Sequence, residues 1–337
     1  MSKAPSHLRV IFTGTPEFAL PSLRALAGAV QLVAVVTQPD RPAGRGRRLS
    51  PPPVAVFARE CSLPVMQPPS LRRPEVVRAL AALDPDLLVT VAYGRIIPDD
   101  VLALPPLGAI NAHPSLLPAY RGASPIQRAL ADGQTETGVT IIYQTAELDA
   151  GDIILQEHVA IGPEETAGEL ERRLADLSAT LLLAAVRLIA EGRALRRPQD
   201  HAAATYVGKL TKADGQIHWD RPAEAIANLV RAMDPWPSAY TVRAGRPVKI
   251  WRARAEPDAA ATAGGPAEPG TVLAVTEDGI LLEAGRGLLR ALEVQPADGK
   301  RMHAAAFARG HRVQPGERWG APGPAEDSGT LSGGGER

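Results

Sequence analysis

Short apolar runs alternate with amphipathic stretches through the first half of the chain. Leu8 to Phe12 is apolar and β-branched and predicts a strand that ends at Thr13-Gly14-Thr15. Thr15 then reads as an N-cap with Pro16 at the first helical position, ahead of an amphipathic stretch to Leu26. Leu32 to Thr37, Leu87 to Tyr93, Ile110 to His113 and Val139 to Gln144 predict further strands. Val54 to Glu60, Pro74 to Leu83 and Pro125 to Ala131 predict helices between them. Such alternation predicts an α/β fold with a doubly wound parallel sheet. Thr166-Ala-Gly-Glu169 is a capping box opening a long helix, in which Leu170, Leu174, Leu177, Leu181 and Ile189 recur at helical spacing.

Beyond that helix the pattern changes. Residues 193–208 read as a polar connector. Short alternating runs follow at Ala239 to Ala244, Val248 to Ala253, Thr271 to Val275, Ile280 to Glu283 and Leu288 to Val294. The expected organisation is a first domain over 1–192, the connector over 193–208, a small, mostly β domain over 209–315, and a disordered tail over 316–337 with almost nothing to bury. Met233 to Ser238 reads as a rigid packed turn at the domain interface, with Trp236 in the core.

Composition narrows the class. The chain has 337 residues, enough for two domains, and its 37 basic and 37 acidic side chains cancel, so any contact with nucleic acid rests on a local patch. Cys61 is the only cysteine, which excludes an internal disulfide and a thiolate metal cluster and fits a reducing cytoplasm. The histidines show no metal spacing. Met1 to His7 does not read as a leader, and the longest apolar run, Leu181 to Ala190, carries Arg187, so the expectation is a cytoplasmic protein without a membrane segment. Thr13-Gly-Thr-Pro-Glu-Phe18 lacks the second and third glycines of a dinucleotide site, and Glu17 stands where a pyrophosphate would approach, so NAD is not expected.

The candidate chemistry starts at Asn111 and His113. They lie two apart at the end of a strand and so share a face, at the edge where open α/β sheets bind ligands. Pro114 and Pro118 stiffen the loop that follows. Glu147-Leu-Asp149-Ala-Gly151-Asp152 sets carboxylates around a glycine turn. Taken singly, the first pair also fits a strand cap and the second an ordinary turn. Taken together, a carboxylate beside His113 would fix its tautomer and make an acid/base or electrostatic pair, with Asn111 as a neutral donor for an oxyanion. No nucleophilic Ser or Cys elbow accompanies them, so direct attack by a substrate amine on a bound acyl donor fits better than covalent transfer.

The run Asn111-Ala-His113-Pro-Ser115-Leu-Leu-Pro118-Ala-Tyr-Arg121-Gly122, followed by Asp149-Ala-Gly-Asp152, resembles the folate-dependent formyltransferases. Phe12-Thr-Gly-Thr-Pro-Glu-Phe18, Thr37 to Arg48 and Val91-Ala-Tyr-Gly94 bring it closest to the branch that acts on initiator methionyl-tRNA, over about residues 8–315. The resemblance implies a Rossmann-like catalytic domain joined to an OB-like barrel. It implies 10-formyltetrahydrofolate as donor, without metal, and the free α-amino group of methionyl initiator tRNA as acceptor. It further implies Asn111, His113 and Asp149 as the catalytic trio, Ser115, Leu116, Leu117 and Pro118 as the loop that holds the folate, and a monomer.

A loop from Asp40 to Leu49 carries Arg41, Arg45, Arg47 and Arg48 among glycines and Pro42. By itself it is a solvated cationic turn or a clamp for RNA phosphates. The resemblance selects the clamp, at the tRNA acceptor stem, with Arg45 prominent. Lys209, Lys212, Arg243, Arg246, Lys249, Arg252 and Arg254 add a possible positive edge in the second domain, a pattern that solvation alone also explains. A sugar-nucleotide N-formyltransferase, glycinamide ribonucleotide formyltransferase, a folate-binding hydrolase and a noncatalytic RNA-binding module remain rival readings. The arginine loop and the second domain count against small substrates.

Overall fold

Five consecutive residues, Leu87 to Val91, are buried, which a strand tolerates only when covered on both faces. The computed structural model describes residues 4–43, 48–256 and 267–320. It divides into one unit comprising Met1–Ala129 and Gln134–Lys209, and a second comprising Leu130–Gly133 and Leu210–Arg337.

The first unit begins with β1 (Arg9–Gly14), α1 (Leu20–Ala27), β2 (Gln31–Val36), a hairpin of β3 (Arg41–Ala43) and β4 (Arg48–Ser50), α2 (Pro53–Glu60) and β5 (Val65–Met66). It continues through α3 (Pro74–Ala81), β6 (Leu87–Val91), α4 (Asp99–Leu102), β7 (Ala109–His113), β8 (Arg121–Gly122) and all but the last two residues of α5 (Pro125–Ala131). It closes with β9 (Glu136–Tyr143), β10 (Ile153–Ala160), α6 (Ala167–Ala190) and β11 (Tyr206–Val207). Seven strands form one sheet in the order β10-β9-β7-β6-β1-β2-β5. The five from β7 to β5 are parallel, which sets the C-terminal ends of β1, β6 and β7 along one edge. The Rossmann-like, mostly parallel architecture is therefore present. The strand at Val139 to Gln144 departs from it, because β9 runs antiparallel to β7 and β10 antiparallel to β9.

Two local expectations have different outcomes. Thr166 caps α6 as its sequence indicates: Glu169 N–H donates to Thr166 Oγ1 at 3.3 Å and Thr166 N–H donates to Glu169 Oε2 at 2.9 Å. Thr15 is not a helix cap. Pro16 opens a single 3-10 turn, Glu17–Ala19, before α1 begins at Leu20. The Thr15 hydroxyl instead donates to the carbonyl of Tyr93, in the loop leaving β6, at 2.9 Å.

The second unit consists of α7 (Ala223–Ala232), six antiparallel strands and α8 (Ala304–His311). The strands are β12 (Ala239–Arg243), β13 (Arg246–Glu256), β14 (Val272–Thr276), β15 (Gly279–Glu283), β16 (Leu288–Pro296) and β17 (Met302–His303). Their order is β12-β13-β16-β15-β14, with β17 on β16. β13 shifts register against β16 on either side of Arg252, and such bulges bend a long strand. Packing runs past residue 315. Gly316 N–H donates to the Val272 carbonyl, Trp319 N–H to the Gly270 carbonyl, and Trp319 is buried edge-on against Phe307. An indole has enough apolar surface to hold a segment otherwise rich in Gly. Residues 321–337 of the expected tail lie outside the described residues. Trp236, expected in the core, is 54 % exposed. The turn holding it is anchored through Ser238, whose N–H donates to the Met233 carbonyl, so the turn is fixed without burying the indole.

Glu256 links two arginines at the end of β13. Arg290 Nη2 donates to its Oε2 at 2.8 Å and Arg254 Nη2 to its Oε1 at 3.0 Å. The hydrogen bond from Arg290 is the main cause that lowers the carboxyl pKa from 4.5 to about 2, with Arg254 adding to it and burial opposing it. A carboxyl whose folded pKa is depressed contributes stability that is present above the unfolded value and lost as pH falls toward the folded one. Glu256→Gln is therefore expected to destabilise the protein at neutral pH. Its deficit relative to the parent should shrink between pH 4.5 and about 2 in denaturant titrations run across that range. A deficit that does not change with pH would rule out the charge as its source.

Candidate active site

The register of β7 fixes the first two candidate groups. Asn111 stands opposite Thr90 of β6 and Ile142 of β9, while His113 stands opposite Thr140 of β9. Being two residues apart they share a face, and the structure brings both onto the carboxylate of Asp149. Asn111 Nδ2 donates to Asp149 Oδ1 at 3.4 Å, and His113 Nδ1 lies 3.6 Å from Asp149 Oδ2. Asp149 Oδ2 also accepts from the backbone N–H of Gly122 at 2.9 Å.

Bringing Asp149 there takes a detour of the chain. β9 ends at Tyr143, opposite Ile110 near the start of β7, and β10 begins at Ile153, opposite Ile142. The intervening segment folds back along β7 so that Asp149 reaches its end. Asp149 adopts a left-handed φ of 51° in this turn, and Gly151 passes so close to Tyr143 that a Cβ there would lie 1.7 Å from the Tyr143 carbonyl oxygen.

His113 is buried. Its Nε2 lies 2.9 Å from the carbonyl oxygen of Tyr120, and a carbonyl only accepts, so Nε2 carries the hydrogen. The Nδ1 side faces a carboxylate. Both ring nitrogens are thus turned toward acceptors, which fixes the plane of the ring. Asn111 is half-buried, and its amide nitrogen retains a second hydrogen beyond the one given to Asp149.

The four residues expected to hold the folate divide into two kinds. Ser115 is fully buried with its hydroxyl donating to the Ala119 carbonyl at 2.6 Å, and Leu117 is buried with Ile142 and Ile153. Leu116 and Pro118 are partly exposed. Thr140 braces the loop from the sheet, donating to the Ser115 carbonyl at 2.7 Å and accepting from Leu117 N–H at 3.2 Å. Gln156 adds a donation to the Leu117 carbonyl at 2.9 Å.

Arg45 and Arg47 lie outside the described residues, and of Arg48 only the backbone is described, paired with Ala43 across the hairpin. The base of that hairpin is tied to the sheet edge. Gln67 Nε2 donates to the Gln38 carbonyl at 2.9 Å and to Asp40 Oδ1 at 2.8 Å, and Gln38 Nε2 donates to the Tyr93 carbonyl at 2.7 Å. In the second unit, Arg243, Arg246 and Arg254 are ion-paired with Glu317, Asp298 and Glu256. The positive edge counted from sequence is weakened accordingly. Lys249 is exposed, with its ammonium 5.4 Å from the ring centroid of Trp251.

Sequence reasoning assigned no role to Arg121 or Gln199, which are buried beneath Asp149, nor to the N–H of Gly122. Arg121 lies within the quoted run, but its burial had no signal there. Gln199 sits in a segment whose polarity reads as a connector.

Residues 8–186 match the family described as Formyl transferase, and residues 209–312 match its C-terminal domain. Among curated proteins, the chain is 47 % identical over 312 residues to a methionyl-tRNA formyltransferase of Moorella thermoacetica, covering 92 % of this chain and 98 % of the relative. It is 49 % identical over 317 residues to the corresponding protein of Symbiobacterium thermophilum, covering 94 % and 96 %. Among solved structures, it resembles an N-formyltransferase from Helicobacter canadensis in complex with folinic acid and dTDP-3-aminofucose, with a TM-score of 0.61 at 15 % identity, covering 84 % of this chain and 98 % of that one. It also resembles HypX from Aquifex aeolicus in complex with tetrahydrofolic acid, with a TM-score of 0.58 at 18 % identity, covering 90 % and 47 %. These structural likenesses concern the fold.

Gly122 holds its N–H on Asp149 from a backbone at φ 114°, and a Cβ there would lie 2.2 Å from the Val207 carbonyl oxygen. Gly122→Ala is expected to cost about 1–3 kcal/mol and to lower the midpoint of thermal unfolding. An unchanged midpoint would show that the loop has room to move aside.

Proposed function

The chain belongs to the formyl transferase family, and from that membership we propose that it transfers the formyl group of 10-formyltetrahydrofolate to the free α-amino group of methionyl initiator tRNA. The product is N-formylmethionyl-tRNA, made for translation initiation in the cytoplasm. One observation carries the choice of acceptor: methionyl-tRNA formyltransferases match at 47–49 % identity through both domains and nearly their full length. No helix among the described residues is long and apolar enough to cross a membrane.

The geometry supports a mechanism of direct attack. The amine lone pair adds to the formyl carbon, and the carbonyl oxygen of the resulting tetrahedral intermediate takes the negative charge. The remaining hydrogen of Asn111 Nδ2 donates to that oxygen, a contact that strengthens as charge develops. His113 has its Nε2 hydrogen on the Tyr120 carbonyl and its Nδ1 beside Asp149, contacts that hold the ring in one orientation beside the reacting carbon. Asp149 orients both neighbours and, through water, takes a proton from the attacking ammonium and returns one to the departing folate nitrogen as the carbon–nitrogen bond breaks. Leu116 and Pro118 give the folate apolar contact, while buried Ser115 and Leu117 hold the loop's shape. Arg45, with Arg47 and Arg48, binds phosphates of the acceptor stem.

Incubation with labelled 10-formyltetrahydrofolate and either methionyl initiator tRNA or amino-sugar nucleotides tests the acceptor. Label is expected on the tRNA alone, and transfer to the sugar would overturn the reading. Asn111→Ala should retain folate binding and lose about a hundredfold or more in turnover, by analogy with removal of an oxyanion donor; near-normal turnover would remove Asn111 from the mechanism. Arg45→Ala should raise KM for tRNA without changing folate affinity, and the reverse pattern would argue against an RNA role.

A further inference from the structure

The carboxylate of Asp149 has no rigid element of its own behind it. It stands in the irregular turn between β9 and β10, on a left-handed backbone. What holds the turn is the carboxamide of Gln199. Its Nε2 donates to the Asp149 carbonyl at 2.8 Å and to the Gly151 carbonyl at 2.8 Å. Its Oε1 accepts from Arg121 Nη2 at 2.8 Å and from Arg121 Nε at 3.2 Å. Gln199 is 6 % exposed and Arg121 is fully buried. Both amide hydrogens and both lone pairs of the carboxamide are therefore in use, in four contacts with three residues, away from water.

Arg121 extends the clamp on its other side. Nη1 donates to Tyr206 Oη at 3.0 Å and approaches Glu147 Oε1 at 3.4 Å, and Nη2 lies 3.2 Å from His201 Nδ1. Gln199, His201 and Tyr206 all come from the segment that reads in the sequence as a polar connector. That segment also pairs through its backbone with the loop after His113: Arg121 N–H donates to the Thr205 carbonyl at 2.8 Å and Ala123 N–H to the Val207 carbonyl at 3.0 Å. It thus grips both sides of the site, the loop by β11 on β8 and the Asp149 turn by Gln199.

We propose that Gln199 is a positioning residue for the formyl transfer, acting through Asp149, and that the segment around it belongs to the active site rather than to a linker. The proposal rests on the assignment of Asp149 given above. Side-chain chemistry restricts what can stand at position 199. Glutamate accepts from Arg121 as well as glutamine does, or better, but has no hydrogens for the two carbonyls. Asparagine is a methylene short. An apolar residue would leave the guanidinium and both carbonyls without their partners. A turn released by even about 1 Å takes a reacting group out of its productive geometry.

Gln199→Glu, Asp149→Asn and the double variant, in the full chain, form a cycle that separates this role from plain structural support. Gln199→Glu is expected to keep the fold, because its carboxylate still meets Arg121. Its kcat should fall about tenfold or more, with KM for 10-formyltetrahydrofolate and for methionyl-tRNA within about twofold of the parent. Placed in the Asp149→Asn background, the same change should cost nothing further. A kcat for Gln199→Glu within twofold of the parent, or losses that multiply in the double variant, would overturn the proposal. Asp149→Asn alone reports on the underlying assignment: parent-like turnover in that variant sinks the role of Asp149 itself, whatever Gln199 does. If Gln199→Glu does not fold, Arg121→Lys takes its place in the cycle with the same expectations, since it keeps the charge and loses the forked contact with Gln199.

Discussion

The contact of one carboxylate with Asn111 and His113 joins segments that the sheet's topology keeps apart, and much of the irregular backbone of the first unit is organised around it. Asn111 and His113 are placed by β7 alone. Asp149 follows a strand that runs the other way, and its turn has to travel back along the sheet to meet them. Such a turn has few hydrogen-bond partners of its own. It is held by a buried amide, a buried guanidinium and the N–H of a glycine, each supplied from another part of the chain.

Burial gives those partners their effect. A guanidinium in water exchanges its contacts freely, but Arg121 is removed from water, so each of its hydrogens must find an acceptor in the protein. That requirement orders Gln199, His201 and Tyr206 around it. The loop from Ser115 to Pro118 is ordered by the same principle. Thr140 and Gln156 satisfy its carbonyls from the sheet, so the partly exposed Leu116 and Pro118 are presented on a fixed frame.

Away from this site, charge is mostly neutralised locally. Several arginines of the second unit are taken up by ion pairs, with Arg290 and Arg254 on Glu256 as the clearest case. Counting basic residues in a strand overstates the field they project, because a cation within reach of a carboxylate contributes little at a distance. The hairpin after β2 differs in the way its base is fixed, through Gln38 and Gln67, to the same sheet edge that carries Asn111 and His113.

What the chain's residues determined unaided was local or periodic. Apolar runs with strand and helix periods marked most elements, the Thr166–Glu169 pair marked the start of α6, and the spacing of Asn111 and His113 placed them on one face. These signals depend on neighbours within a few positions, where backbone geometry is fixed by covalent chemistry and rotamer preference. The quoted motifs also carried the family, because they crowd several chemically unusual choices into short segments. Strand direction, burial and long-range pairing were decided only by the tertiary structure. Nothing in Val139 to Gln144 says that it runs antiparallel, nothing in Trp236 says that it faces solvent, and nothing in Thr15 says that its hydroxyl crosses to Tyr93. Gln199 is the sharpest case. It lies 50 residues from Asp149 in the chain, and a hydrogen bond across such a separation depends on where the fold delivers both partners, which no local pattern records.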